Sequence, residues 1–220
     1  MARISYQYND VDSTNLIVSL DQLKLQLTID SDFTDDDLLL SSYLLAAQNW
    51  VENYCHRSLT NRSATAYYDG FPLGYWGGTI QASERYYLST KYWRRLSFIL
   101  PIPASAITSI IYIDCGGTQF TVDPSTYNAQ TTSEPAIVCP AYNCSWPTAT
   151  TYMPGSVQID FTTKCFATVP AAIEQAILLL ASNWYANREA SSPLGTKSLQ
   201  FGVESLLDPY VFDCNYLGEL

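Results

Sequence analysis

The chain has 220 residues, 47% hydrophobic and 14% aromatic, and its 11 Lys and Arg against 21 Asp and Glu leave a net charge of −10. With 15% charged residues, and with ten Gly and eleven Pro in no repeat, this is the composition of a soluble globular protein of one or two domains; collagen-like, low-complexity and disordered classes are excluded. The acidic balance also excludes a protein that grips nucleic acid through its phosphates, which requires a basic surface.

Residues 1–18 show little periodicity and are expected to form an arm or an edge strand, and Met1–Asp12 lacks the apolar run of an export signal. Ser19 opens a short helix: Gln22 three positions on makes a capping box, and Leu20, Leu23 and Leu27 share one face. Thr28–Phe33 reads as a loop. Thr34 is the expected N-cap of a longer helix, with Asp37 at the third position and Asp35 and Asp36 against the positive end of the helix dipole. Leu40, Tyr43, Ala47, Trp50 and Tyr54 recur at spacings of three and four, widened by Leu44 and Val51, and the helix is expected to end near Cys55, where His56 and Arg57 oppose its negative end.

From Asn61 to about Lys164 the period shortens. Expected strands are Ala64–Tyr68, Arg85–Leu88, Leu96–Leu100, Ile107–Ile113, Thr118–Val122, Tyr127–Gln130, Ala136–Cys139 and Ser156–Phe161. Asp114-Cys115-Gly116-Gly117 makes the clearest hairpin, with both glycines expected at positive φ. Val157, Ile159 and Phe161 alternate with polar residues and so mark one buried face. Val169-Pro170 begins a second long helix, in which Ile173, Ile177, Leu180 and Trp184 form a stripe while Leu178, Leu179 and Ala181 make it apolar on nearly every side; it is expected to be buried all round, within the chain or against another subunit. A breaker-rich linker, Ala190–Gly195, precedes a tail with the apolar run Phe201–Leu207, expected to dock on a partner. The longest apolar stretch, Ala176–Ala181, is far short of the roughly 20 residues that span a bilayer, so no membrane association is expected.

The fold class read from this order is α+β: a discontinuous helical body (1–60 and 168–190, two long helices plus short N- and C-terminal ones), an antiparallel β-rich insertion (61–167) and a docking tail (191–220).

Chemistry is hard to place on this chain. With one histidine, paired-histidine metal sites are impossible, and His56 reads better as a cation at a helix end than as part of a triad. Cys139 and Cys144 lack a second close pair for zinc, and the six cysteines read as free thiols. The cluster Asp30, Asp32, Asp35, Asp36, Asp37 fails as a calcium loop, having Asp35 where glycine and Ser41 where a bidentate Glu belong. Gly70, Gly74, Gly77 and Gly78 lack the Gly-Lys-Ser/Thr of a phosphate cradle. No catalytic residue, cofactor or metal is expected. Arg85, Lys91, Arg94 and Arg95, interleaved with Tyr86, Tyr87, Tyr92 and Trp93, read as a protein interface rather than a nucleic-acid platform. Leu178, Trp184, Phe201, Leu206, Leu207 and Tyr210 complete the expected subunit or partner contacts.

The order Leu20-Asp21-Gln22-Leu23-Lys24, then Thr34-Asp35-Asp36-Asp37-Leu38-Leu39, then Ala46-Ala47-Gln48-Asn49-Trp50-Val51-Glu52-Asn53-Tyr54 resembles the opening of head-tail connector (adaptor) proteins of tailed bacteriophages and related gene transfer agents. Leu100-Pro101-Ile102-Pro103, Asp123–Tyr127, Pro154–Val157, Val169–Ile173 and Phe201–Tyr210 extend the resemblance to about residue 210. It implies a non-enzymatic virion protein that forms a ring, commonly of twelve subunits, between the portal protein and the stopper or tail-completion protein. Genomic DNA passes through such a ring without specific binding. The implied location is the virion neck, after assembly in the host cytoplasm. On that footing Asp32, Asp35, Asp36 and Asp37 are expected on an acidic channel wall. The alternatives are a stopper or tail-completion protein, or an aromatic-rich β module that binds glycans.

Overall fold

A computed structural model describes residues 5–9, 15–72, 97–148, 153–187 and 197–212, with side chains from 202 onward in the last segment. The strands are β1 (Ser5–Tyr8), β2 (Ser63–Tyr68), β3 (Phe98–Ile99), β4 (Ala104–Ile113), β5 (Gln119–Thr121), β6 (Tyr127–Gln130), β7 (Ile137–Pro140) and β8 (Val157–Thr163); the helices are α1 (Leu20–Leu27), α2 (Asp37–Cys55), α3 (Ala171–Ala186) and α4 (Lys197–Leu207). This is the α+β mixture expected. Among the described residues, one compact unit consists of β1 and residues 61–164, and a second of residues 15–60 and 165–212.

In the first unit five antiparallel strands run in the order β1-β2-β8-β4-β5, and three more in the order β3-β7-β6. Alternation on β8 puts Val157, Ile159 and Phe161 into a core with Ala64, Ala66, Tyr68, Phe98, Leu100, Ile110, Val138 and Trp146. The opposite face closes on itself. The Asp160 carboxylate accepts from Thr65 on β2 at 2.6 Å and from Ser109 on β4 at 2.7 Å, and Asn9 donates to Thr65 at 3.0 Å. Strand β4 begins three residues earlier than expected, because shifts between Ala104 and Ala106 and between Ile107 and Ser109 break its period of two. In the β4–β5 hairpin only Gly117 takes a positive φ, 82°. Gly116 instead lets the backbone close on a side chain: its N–H donates to Asp114 Oδ1 at 2.8 Å, and a Cβ there would lie 3.3 Å from the same oxygen. Residues 5–8, expected with the helical body, instead pair with β2, Ser5 opposite Tyr67 and Tyr8 opposite Ala64. Tyr8 faces the core side and receives the Arg62 guanidinium 5.2 Å from its ring centre.

The second unit packs α1, α2, α3 and α4 around Leu23, Leu40, Leu44, Ala47, Val51, Ile173, Ile177, Val203 and Leu207. The capping box at Ser19 forms as expected: its hydroxyl accepts from Gln22 N at 3.2 Å, and the Gln22 side chain accepts from Ser19 N at 2.8 Å. Gln48, fully buried, holds the segment entering α1 by accepting from Ile17 N at 2.9 Å and donating to the Asn15 carbonyl at 3.2 Å. Three expectations are corrected here. Thr34 is not the N-cap of α2; that position is Asp36, whose side chain bonds the Tyr185 hydroxyl of α3 instead of the helix N–H groups. Within the chain, helix α3 is not buried all round, since Ile173, Ala176, Ile177, Leu180 and Ala181 are buried while Ala171, Gln175 and Ala186 are exposed. The tail up to residue 212 is not a free docking segment. Val203 and Leu207 are core residues, Tyr210 meets Phe166 edge-on at 6.0 Å, and Phe212 N donates to the Cys55 carbonyl at 2.8 Å. Its apolar spacing is satisfied inside its own unit.

Candidate functional site

Among the described residues no three His, Cys, Asp or Glu side chains converge as metal ligands, and no helix is long and apolar enough to cross a membrane. His56 is exposed in the left-handed turn that ends α2, φ 51°. Cys55, Cys139 and Cys144 are free thiols, and burial pushes the Cys55 thiol up to about 11. The surface of the helical unit is where a function can be sought.

Helix α2 presents a face without charge. Leu38, Ser42, Ala46, Asn49 and Asn53 recur at spacings of four, four, three and four, and all are exposed, Leu38 at 87%. The helix has two charged residues, and neither lies on that face: Asp37 binds Lys24, and Glu52 is buried, accepting from Leu59 N at 2.9 Å. An amphipathic helix that faces water carries charge on its outer side. A face of leucine, alanine and short polar residues suits close approach by another protein, because the centres of interfaces are depleted of charge.

At the start of this face a buried lysine organises the loop between α1 and α2. Lys24, 4% exposed, places its ammonium 2.6 Å from the Asp37 carboxylate and donates to the carbonyls of Phe33 at 2.8 Å and Ser31 at 3.3 Å. The loop is further closed by Thr28 in the left-handed region, φ 59°, and by Phe33 N donating to the Asp30 carbonyl at 3.1 Å. Of the carboxylates expected on a channel wall, two are engaged within the fold: Asp37 with Lys24, and Asp36, which accepts from the Tyr185 hydroxyl at 2.6 Å. Asp32 and Asp35 are exposed to solvent.

The other expected interface residues distribute unevenly. Leu178 and Trp184 are half-buried against the helical core, Leu206 and Tyr210 are half-buried, and Leu207 is fully buried, so it is a core residue and not a contact. Tyr86, Tyr87, Tyr92, Trp93, Arg94 and Arg95 lie outside the described residues, as does the side chain of Phe201. The burial of Lys24 and the uncharged face of α2 are structural features that the sequence reading misses. The first has a signal: Lys24 falls four residues after Leu20 and three before Leu27, on the apolar stripe, where a cation must find a partner.

Residues 17–81 match the family of phage gp6-like head-tail connector proteins. The matched segment holds α1, the Lys24-pinned loop, α2 with its uncharged face, and β2. It includes the opening motifs that carry the resemblance. No curated protein sequence matches the chain. Among solved structures, a chain in the neck of an empty gene transfer agent (GTA) particle, computed with C6 symmetry, is similar with a TM-score of 0.66 at 20% identity, covering 95% of this chain and 96% of that one. A chain of the virion of a native GTA particle is similar with a TM-score of 0.65 at 19% identity over 94% and 95%. A chain in the neck of a native GTA particle computed with C12 symmetry is similar with a TM-score of 0.63 at 20% identity over 95% and 96%. The segment that matches the connector family is thus set in a fold shared, along nearly the whole chain, with these GTA chains.

Proposed function

We propose that this protein is a head-tail connector of a virion neck, a structural and not a catalytic component. Copies of the chain close into a ring of twelve, with the portal protein on one side, a stopper or tail-completion protein on the other, and the genome passing through the middle. The observation that carries this reading is the likeness of almost the entire chain to GTA neck chains, overlaid on the connector family match at residues 17–81. The uncharged outer face of α2 supports it physically, because each subunit of a closed ring must bury two different faces against its neighbours. A net charge of −10 per subunit supports the conduit: a strongly negative ring repels phosphates and does not retain the DNA it passes. The chain is made in the host cytoplasm and ends in the particle.

Deleting the gene from its phage or transfer agent tests this. DNA-filled heads and finished tails are expected to accumulate unjoined, and the supplied protein is expected to join them. Normal joined particles in its absence would contradict the reading.

A further inference from the structure

In the helical unit, the three large apolar side chains that stand furthest out between residues 17 and 60 are Leu25 at 81% exposure, Leu38 at 87% and Phe33 at 41%. They come from three different pieces, yet one buried ammonium ties these pieces together. Lys24 immediately precedes Leu25, its Nζ donates to the carbonyl of Phe33, and its ion-pair partner Asp37 immediately precedes Leu38. The backbone at all three is therefore held by one scaffold. The loop between α1 and α2 is acidic: Asp30, Asp32 and Asp35 are exposed on it, and the one cation on α1 and this loop, Lys24, is buried and paired. Large apolar side chains left in water beside exposed carboxylates suit a DNA conduit poorly and suit a docking patch for a cationic, aromatic segment well.

The chain itself contains such a segment. Residues 85–95 hold Arg85, Lys91, Arg94 and Arg95 among Tyr86, Tyr87, Tyr92 and Trp93, four of the eleven Lys and Arg of the whole chain. A ring contact is heterologous, so a surface and its complement must both be present on one subunit, and these acidic and apolar residues and that basic, aromatic segment are complementary in charge and in chemistry. We propose that Leu25, Phe33 and Leu38 form one patch, with Asp32 and Asp35 at its rim, that receives residues 85–95 of the neighbouring copy. The inference rests on the ring reading above and assigns one of its two joining surfaces. It moves Asp32 and Asp35 from the channel wall to the contact between subunits.

Charge exchange tests it in the full-length protein. Native mass spectrometry of assemblies, alone and on portal-bearing capsids, is compared for the wild type, Asp32→Lys/Asp35→Lys, Arg94→Asp/Arg95→Asp, and the variant carrying all four changes. Each pair alone is expected to weaken self-association by about tenfold or more, and the four together to restore most of it. Restoration also shows that the chain still folds. The contact is overturned if the four changes associate no better than either pair, or if the pairs assemble as the wild type does while DNA release slows, which would return Asp32 and Asp35 to the channel. In that second case the wild-type ring still stands; a wild type that forms no assembly either alone or on capsids would instead remove the ring reading.

Discussion

Lys24 and Asp37 meet at 2.6 Å, with the lysine side chain 5% exposed and the carboxylate 32% exposed, and this pair joins α1 to the first turn of α2. Removing either residue breaks the pair, and removing Asp37 also strands a buried ammonium, an unpaired charge that costs more than the pair gains. Lys24→Met is expected to lower stability by about 2 kcal/mol in urea unfolding, and Lys24→Met with Asp37→Leu to recover part of it. Equal losses in the single and double variants would show that the loop is held by its backbone alone.

The tail up to residue 212 closes the helical core. Removing residues 191–220 takes away Val203 and Leu207, both fully buried, and is expected to give a protein that unfolds or aggregates. The milder Leu207→Ala is expected to cost about 2–5 kcal/mol. A truncated chain that melts cooperatively at the wild-type temperature would show that these side chains add nothing.

The tail's attachment is expected to weaken at alkaline pH. The Tyr54 hydroxyl donates to Asp208 Oδ1 at 2.7 Å, and this bond to a carboxylate, with the nearby negative charge, raises the phenol from 10.0 to about 12. A group whose pKa is higher in the folded state contributes fully below its unfolded value, near pH 10, and loses that contribution as pH rises toward 12. The difference in Tm between wild type and Tyr54→Phe, which keeps the ring stacked on Trp50 at 5.3 Å, is therefore expected to narrow from below pH 10 to about pH 12. A difference constant over that range would show that the hydrogen bond is not what the substitution removes.

Much of this fold is written in local pattern, and the exceptions share a cause. The capping box at Ser19, the alternation on β8 and the Asp114–Gly117 hairpin depend on neighbours within a few residues, so they are legible. The start of α2 is not, because Asp36 and Asp37 look like helix-capping acids while their side chains are taken by Tyr185, 149 residues away, and by Lys24. The tail is obscured in the same way: an apolar run shows that a face will be covered, but only the fold shows that α2 and α3 cover it. The uncharged face of α2 is visible as an absence of Lys, Arg, Asp and Glu at positions 38, 42, 46, 49 and 53, a pattern that acquires meaning once those positions are known to point outward.

That face gives a test free of folding effects. Ala46→Arg on exposed α2 is expected to leave the melting temperature within about 1–2 °C of wild type, since surface substitutions change little. It is nonetheless expected to reduce ring assembly, because an unpaired guanidinium would be buried between subunits. Full assembly of the variant on capsids would free α2 from the interface.

The most direct measurement is electron microscopy of particles in which this chain carries a small fused label, reconstructed around the neck. A closed, cyclically symmetric ring of labels between portal and tail is the expected result. Labels on the capsid surface or at the tail tip, or a neck of normal density without label, would contradict the assignment of this protein as the connector.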